Sequence, residues 1–178
     1  MLKQVHWAVY MGDGDDVKKG VASLSVLEGA AWAGFLRAHL HLVRRLDADL
    51  RAAHGMTLSS YEVLLHLSWS PGHRLRMAEL AESVLLSPSG ISRLVDRLER
   101  EGLVARQRSV EDGRGNYAVL TGEGLCRWRE AHGTHIEGVR KYFLSHFTEA
   151  ELLSLGRSWQ RVVGDLCAPT GEVETGEA

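Results

Sequence analysis

The stretch LLSPSGISRLVDRLEREGLV, Leu85 to Val104, decides the fold. Ser87 is a good helix N-cap, Pro88 suits the first helical position, and Gly102 is placed to end the helix in a left-handed conformation. The spacing therefore predicts a helix from about Pro88 to Glu101. Ile91, Leu94, Val95 and Leu98 recur at i, i+3, i+4 and i+7, which makes one apolar stripe that must pack on something. The other side offers Ser89, Ser92, Arg93, Asp96, Arg97 and Arg100. An ordinary amphipathic surface helix would also carry charges there, so its neighbours have to decide.

Upstream, Ser59 and Glu62 have the spacing of a capping box, with Leu58 and Val63 as a hydrophobic staple, and predict a helix from Ser60 to about Trp69. Ser70-Pro71-Gly72 breaks it, a short extended piece follows around Arg74 to Met77, and AELAESV gives a third short helix. Two short helices joined by a tight turn, the second arginine-rich at its surface, make a helix-turn-helix layout. Downstream, LVARQRS and GNYAVLT read as strands, and VEDGRG between them has the Asp and Gly content of a hairpin tip. A hairpin directly after such a helix is a wing, with Arg114 at its tip, where the negative potential of a narrow minor groove attracts arginine.

At 178 residues the chain can support one domain with long helices, and 44% hydrophobic with 25% charged residues indicates a soluble, globular protein. No apolar run approaches a membrane span, and MLKQVHWAVYMGDGDD lacks the apolar core of a signal peptide. Cys126 and Cys167 make neither a disulfide framework nor a zinc spacing, which fits a reducing, cytoplasmic compartment. The formal charge of −2 is misleading for a nucleic-acid partner: without Glu172, Glu174 and Glu177 of the tail, the rest stands at +1. Where the arginines gather matters more than the total.

The fold class expected is mainly α, with a small β component: a winged helix-turn-helix at about 58–121, flanked by long helices at about 27–54 and 121–167. Residues 1–25 read as an arm and 168–178 as an acidic, disordered tail. Leu36, Leu40, Val43, Leu46 and Leu50 cover one side of the first long helix, while Ala31, Phe35, Ala38 and Leu42 cover another, so it is buried on more than one face. Thr121 can cap a helix to about His146, weakened by Gly133 and Gly138. Thr148 and Glu151 form a capping box for a final helix ending near Cys167. The long first helix and the two terminal helices carry more apolar surface than one small winged-helix domain can cover, with Leu152, Leu155, Trp159, Val162 and Val163 contributing from the last, which predicts an obligate homodimer.

RLRMAELAESVLLSPSGISRLVDRLEREGLVARQ followed by EDGRGNYAVLTGEG resembles the MarR family of bacterial winged-helix transcription regulators. The likeness extends more weakly over about Leu27 to Leu166. The resemblance implies a homodimer whose first and last two helices interlock, each winged helix reading one half of a pseudo-palindromic operator in double-stranded DNA. It also implies repression relieved by a small aromatic or anionic effector. One departure is Ala78, where family members often have Ser or Thr to cap the helix before the recognition helix.

On this reading Ser87 and Ser89 hold a phosphate at the positive end of the helix dipole, beside Ser92. Arg93 and Arg97, one turn apart, can each reach guanine O6 and N7 or settle for phosphate. Arg100 suits a phosphate or an ion pair with Asp96. Arg106 and Arg108 alternate with Gln107 and would clamp the backbone at the start of the wing, and Asp112 would orient the wing through Arg114. Trp32, His39, His66 and Trp69 are the candidate lining of an effector pocket between the first long helix and the winged helix, against the simpler reading of packed core side chains.

His39 and His41 point in different directions, whereas His132 and His135, at i and i+3, could share a metal. No carboxylate or cysteine completes a motif, so no metal and no cofactor is assigned. Cys126 and Cys167 are expected to be buried small hydrophobes. A redox- or metal-responsive regulator of the same fold and a winged helix used only for protein contact are the alternatives. An enzyme is not expected, because no nucleophile elbow, P-loop, dinucleotide fingerprint or zincin motif is present.

Overall fold

The computed structural model describes residues 24–84, 86–108 and 116–167, with side chains described as far as 164. The expected wing tip with Asp112 and Arg114, nearly all of the N-terminal arm, and the acidic tail lie outside the described residues. Helix α1 spans Val26–His54, α2 Leu58–Trp69, α3 Met77–Ser83, α4 Pro88–Arg100, α5 Gly122–Tyr142 and α6 Glu149–Cys167. Strands β1 (Arg74–Arg76), β2 (Val104–Arg108) and β3 (Asn116–Leu120) form one antiparallel sheet in the order β1-β3-β2. Leu75 pairs with Ala118, and Arg106 pairs with the same residue from the other side. The fold is therefore the winged helix expected, between long flanking helices. Among the described residues no helix is long and apolar enough to cross a membrane.

Local chemistry explains each boundary. Ser87 caps α4 by accepting the Gly90 amide at 3.1 Å, and Gly102 leaves the helix at φ 75° while Leu103 N–H returns to Leu98 O at 2.9 Å. All four residues of the apolar stripe are buried, each contributing about 1.5–3 kcal/mol of hydrophobic stabilisation. Helix α3 starts without a Ser or Thr cap. The Glu79 carboxylate instead accepts the Arg76 N–H at 3.0 Å, half of a capping box.

Two expected boundaries move. Helix α2 is capped by Thr57, whose hydroxyl accepts the Ser60 amide at 3.0 Å, and not by the Ser59/Glu62 box. Its first amide, Leu58 N–H, donates to Asp47 Oδ1 of α1 at 2.9 Å. That acceptor belongs to a different helix, so the shift of two residues has a tertiary cause. Helix α5 stops at Tyr142 instead of near His146; Phe143 leaves helical geometry and a 3-10 turn at Leu144–His146 follows, with the Phe143 and Phe147 rings 5.1 Å apart.

The core lies where α2, α4 and the sheet meet, with Leu50 of α1 and Ala131 of α5 closing it. Two glycines of α5 make close packing possible. A Cβ on Gly138 would stand 2.7 Å from Leu46 Cδ2 of α1, so the absent side chain sets how tightly the two long helices cross. A Cβ on Gly124 would stand 2.0 Å from the carbonyl oxygen of Leu103. Gly124→Ala should thus destabilise the protein by at least about 1–3 kcal/mol despite the better helix propensity of alanine. Gly122→Ala, which meets nothing within 4 Å, should be neutral or slightly stabilising. Thermal melts of the two variants check this, and equal melting temperatures would contradict it.

Candidate nucleic-acid interface

Helix α4 divides its polar residues into two groups. Ser87 and Ser89 are exposed at its N-terminus, with their hydroxyls 3.3 Å apart, where Pro88 has no N–H, the Gly90 amide is capped by Ser87 and the Ser89 amide begins without a helical acceptor. Arg93 is exposed one turn on, its Nε donating to Ser89 O at 3.2 Å. Arg100 does the same to Asp96 O at 3.2 Å, so it bonds to the Asp96 main chain and not to its carboxylate. These residues form an exposed strip of hydroxyls and guanidinium groups along one side.

The second group is tied to other elements, although Asp96 and 41% of the Arg97 side chain remain open to solvent. Arg106 of β2 donates to the Asp96 carboxylate and to Ser92 O at 3.1 Å and Ser92 Oγ at 3.3 Å, while its Nε stands 3.6 Å from Glu99. Period-two alternation puts Arg106 on the face of buried Val104 and turns Gln107 away, as expected, but that face meets α4. Asp96 and Ser92 thus fasten the wing root to the helix. Arg97, expected on the outward face, reaches back to α2: one terminal nitrogen donates to Ser60 Oγ at 2.6 Å and to Thr57 Oγ1 at 3.3 Å. Sequence periodicity could not have found these partners, because they lie on another helix. Arg74 and Arg76 of β1 lie 5.1 Å and 5.3 Å from the Tyr117 ring centre, adding cation–π contacts across the sheet.

The four effector-pocket candidates fall into two places. Trp32 is half-exposed on α1 beside Phe35 at 5.9 Å, Phe35 lies 6.3 Å from His39 and 5.2 Å from Trp159 of α6, and together they make an aromatic cluster between the first and last helices. His66 is half-buried on α2, and Trp69 at its end is 71% exposed. The cleft between wing root and recognition helix, about 420 Å³ and lined by Arg76, Ile91, Ser92 and Arg106, contains none of the four.

His132 and His135 are engaged with Tyr61 of α2. The Tyr61 hydroxyl pairs with His132 Nδ1 at 2.8 Å, and the His135 ring stacks on Tyr61 at 4.4 Å. Among the described residues no group of three or more His, Cys, Asp or Glu side chains stands ready to hold a metal. Burial pushes the Tyr61 hydroxyl up to about 12 and raises the neighbouring Glu62 carboxyl. Cys126, expected to be buried, is exposed on α5.

The arrangement has counterparts among known proteins. Residues 54–115 match the sequence model of the MarR family. AbsC, described as a MarR family transcriptional regulator from Streptomyces coelicolor, is 32% identical with a TM-score of 0.77, over 84% of this chain and 100% of that one. The chain belongs to the MarR family. Sco3205, a further MarR family regulator from Streptomyces coelicolor solved in complex with DNA, is 34% identical with a TM-score of 0.76, over 83% of this chain and 95% of that one. The transcriptional repressor Mb2911 of Mycobacterium bovis is 41% identical over 77 residues, 43% of this chain and 54% of the repressor. The chain spans about half to two thirds of the length of the curated relatives it matches.

The histidine stack makes a pH prediction. Burial, and then the charge of His132, lower the His135 pKa below its usual 6.5, so the unfolded chain takes up this proton more readily than the folded one. Stability from His135 is complete above about pH 6.5 and is lost as the pH falls from there towards the folded-state value. Denaturant melts between about pH 7.5 and about pH 5 should show this decline, and His135→Phe, which retains a ring against Tyr61, should flatten it. An unchanged slope in the variant would assign the acid sensitivity to other groups.

Proposed function

We propose that this chain is a DNA-binding transcriptional regulator, a homodimeric repressor that grips a pseudo-palindromic operator through α4 and the wing. The carrying observation is the exposed strip of Ser87, Ser89, Arg93 and Arg100 on a helix whose opposite face is wholly buried. Ser87 and Ser89, with the amides at the helix start, position a phosphate. Arg93 enters the major groove, where its planar fork matches guanine O6 and N7. Ser92 and Arg106 act from behind, holding the wing root so that Arg114 can reach the minor groove. The relative solved with DNA, Sco3205, and the relative named a repressor, Mb2911, support this reading. A regulator that binds DNA in this way works in the cytoplasm and catalyses no reaction.

Dimerisation is supported by unspent apolar surface. On α1, Val26, Leu27, Trp32, Phe35 and Leu40 are all more than 40% exposed, and on α6 so are Leu153, Val162 and Val163. An apolar face of that extent on one chain calls for a partner, and a second copy would cover it across a two-fold axis. A small aromatic or anionic effector wedged by Trp32 and His39, or against His66 and Trp69 of α2, would change the angle between the two winged helices. Release follows only if the effector binds the non-matching conformation better, by several kcal/mol.

Electrophoretic shift with the DNA upstream of the protein's own gene tests the reading, and no shift at low salt would overturn it. Arg93→Ala should cost about 1–3 kcal/mol of operator affinity and relax preference at one base pair. A uniform loss across operator variants would make Arg93 a phosphate contact. Val163→Glu places a charge on a side chain 54% exposed in one protomer, so the fold should persist while sedimentation velocity shows the dimer shifting to monomer. A wild type that sediments as a monomer at micromolar concentration would contradict the dimer.

A further inference from the structure

Arg97 sits on the recognition helix, but its guanidinium closes a polar chain that begins on α1. Asp47 of α1 bonds Arg51 at 2.6 Å and accepts the first amide of α2 at 2.9 Å. Partial burial raises the Asp47 carboxyl, yet the Leu58 amide and the Arg51 guanidinium outweigh it and hold it below its usual range, so the carboxylate stays charged. Thr57 caps α2, its hydroxyl stands 2.7 Å from that of Ser60, and Arg97 donates to both. Ser60 is only 3% exposed and is the buried polar side chain of this core.

The location is costly for a cation. The N-terminus of α2 carries the positive end of its dipole, which disfavours an arginine. Asp47 below and Glu101, 3.9 Å from Arg97 Nε, offset that charge. A guanidinium held in this way, between two hydroxyls of a capped helix end, fixes the roll and tilt of α4 relative to α2. Through Leu58 and Asp47 it fixes them relative to α1 as well.

We propose that Arg97 is a positioning residue that sets the operator half-site spacing the dimer accepts, and that it reads no base. The inference rests on the DNA-binding dimer proposed above. In such a dimer α1 belongs to the shared scaffold and α4 enters the groove, so the α1–α2–α4 chain fixes the distance and angle between the two recognition helices. One added base pair between half-sites rotates one of them by about 34° and moves it about 3.4 Å, which a stiff link refuses and a slack link accommodates.

The test starts from an operator selected by the wild-type protein from a random duplex library. Two panels are built on it: single base-pair changes within a half-site, and insertions or deletions of one and two base pairs between half-sites. Arg97→Ala and Ser60→Ala are compared with the wild type on both panels, with thermal melts to show that each variant is folded. Ser60→Ala is the decisive partner, because Ser60 is buried and can touch DNA in neither reading. Both variants should narrow the ratio of affinities between correct and altered spacing by at least about threefold, while the ranking of base substitutions stays as in the wild type. Arg97→Lys, which retains the charge but not the two-acceptor fork, should resemble Arg97→Ala on the spacing panel.

If Arg97→Ala relaxes preference at one base pair while Ser60→Ala leaves spacing discrimination intact, Arg97 reads a base and the inference fails. It also fails if both variants melt as folded proteins and keep the wild-type spacing ratio. A wild type that selects no sequence from the library overturns the DNA-binding reading, and this inference with it.

Discussion

The carbonyl of Leu103 is the point on which the winged helix turns. It accepts the Thr121 amide at 3.1 Å, while the Thr121 hydroxyl donates to the neighbouring Gly102 carbonyl at 2.7 Å, stands 3.1 Å from Leu103 O, and caps α5 by accepting the Gly124 amide at 3.0 Å. The end of the recognition helix, the start of β2 and the start of α5 therefore share one main-chain oxygen. A satisfied buried carbonyl is ordinary; three elements converging on one requires that the third have no side chain in the way. Gly124 meets that requirement, and β2, β3 and α5 all leave this point in fixed directions.

From that point the chain distributes its arginines unequally. Arg97 and Arg106 are tied to other elements through hydroxyls and carboxylates, whereas Arg93 and Arg100 are steadied, among the described residues, by carbonyls of their own helix and remain exposed. Exposed ion pairs contribute little stability, about 0–1 kcal/mol each, so geometry matters more than energy here. The tied pair gives the exposed pair a defined place from which to act. A surface of arginines without such supports would bind polyanions without orientation.

Much of this was legible in the sequence, and what was not has a common cause. The cap, stripe and terminal glycine of α4 are local features, and the structure follows them residue by residue. The wing strands, the Thr121 cap and the Thr148/Glu151 box are local too. The spacing of Ser59 and Glu62 fits a capping box and points to the wrong α2 cap, because the group that favours Thr57, the Asp47 carboxylate, sits on another helix. Arg97 lies near the margin between the two faces of α4, so periodicity alone put it outside; its acceptors are 37 and 40 residues away in the chain. Asp96 was paired with Arg100 by helical spacing, but a strand arginine reached it first. The aromatic residues of α1 and α2 were recognisable as a group by composition. Their separation into a cluster around Phe35 and an isolated Trp69 depended on packing.

The strand order β1-β3-β2 has a consequence for synthesis. Leu75 finds its partner only in Ala118, so the first strand of the sheet is made long before the strand that completes it. Helices α3 and α4 emerge in between, with their apolar faces waiting for a sheet that does not yet exist. Closing a loop of this length costs entropy that the nascent helices cannot recover on their own. The sheet of the winged helix can thus close only after residue 120 has left the ribosome. A ribosome that stalls inside the wing would leave a recognition helix already translated but without the sheet that fixes its direction.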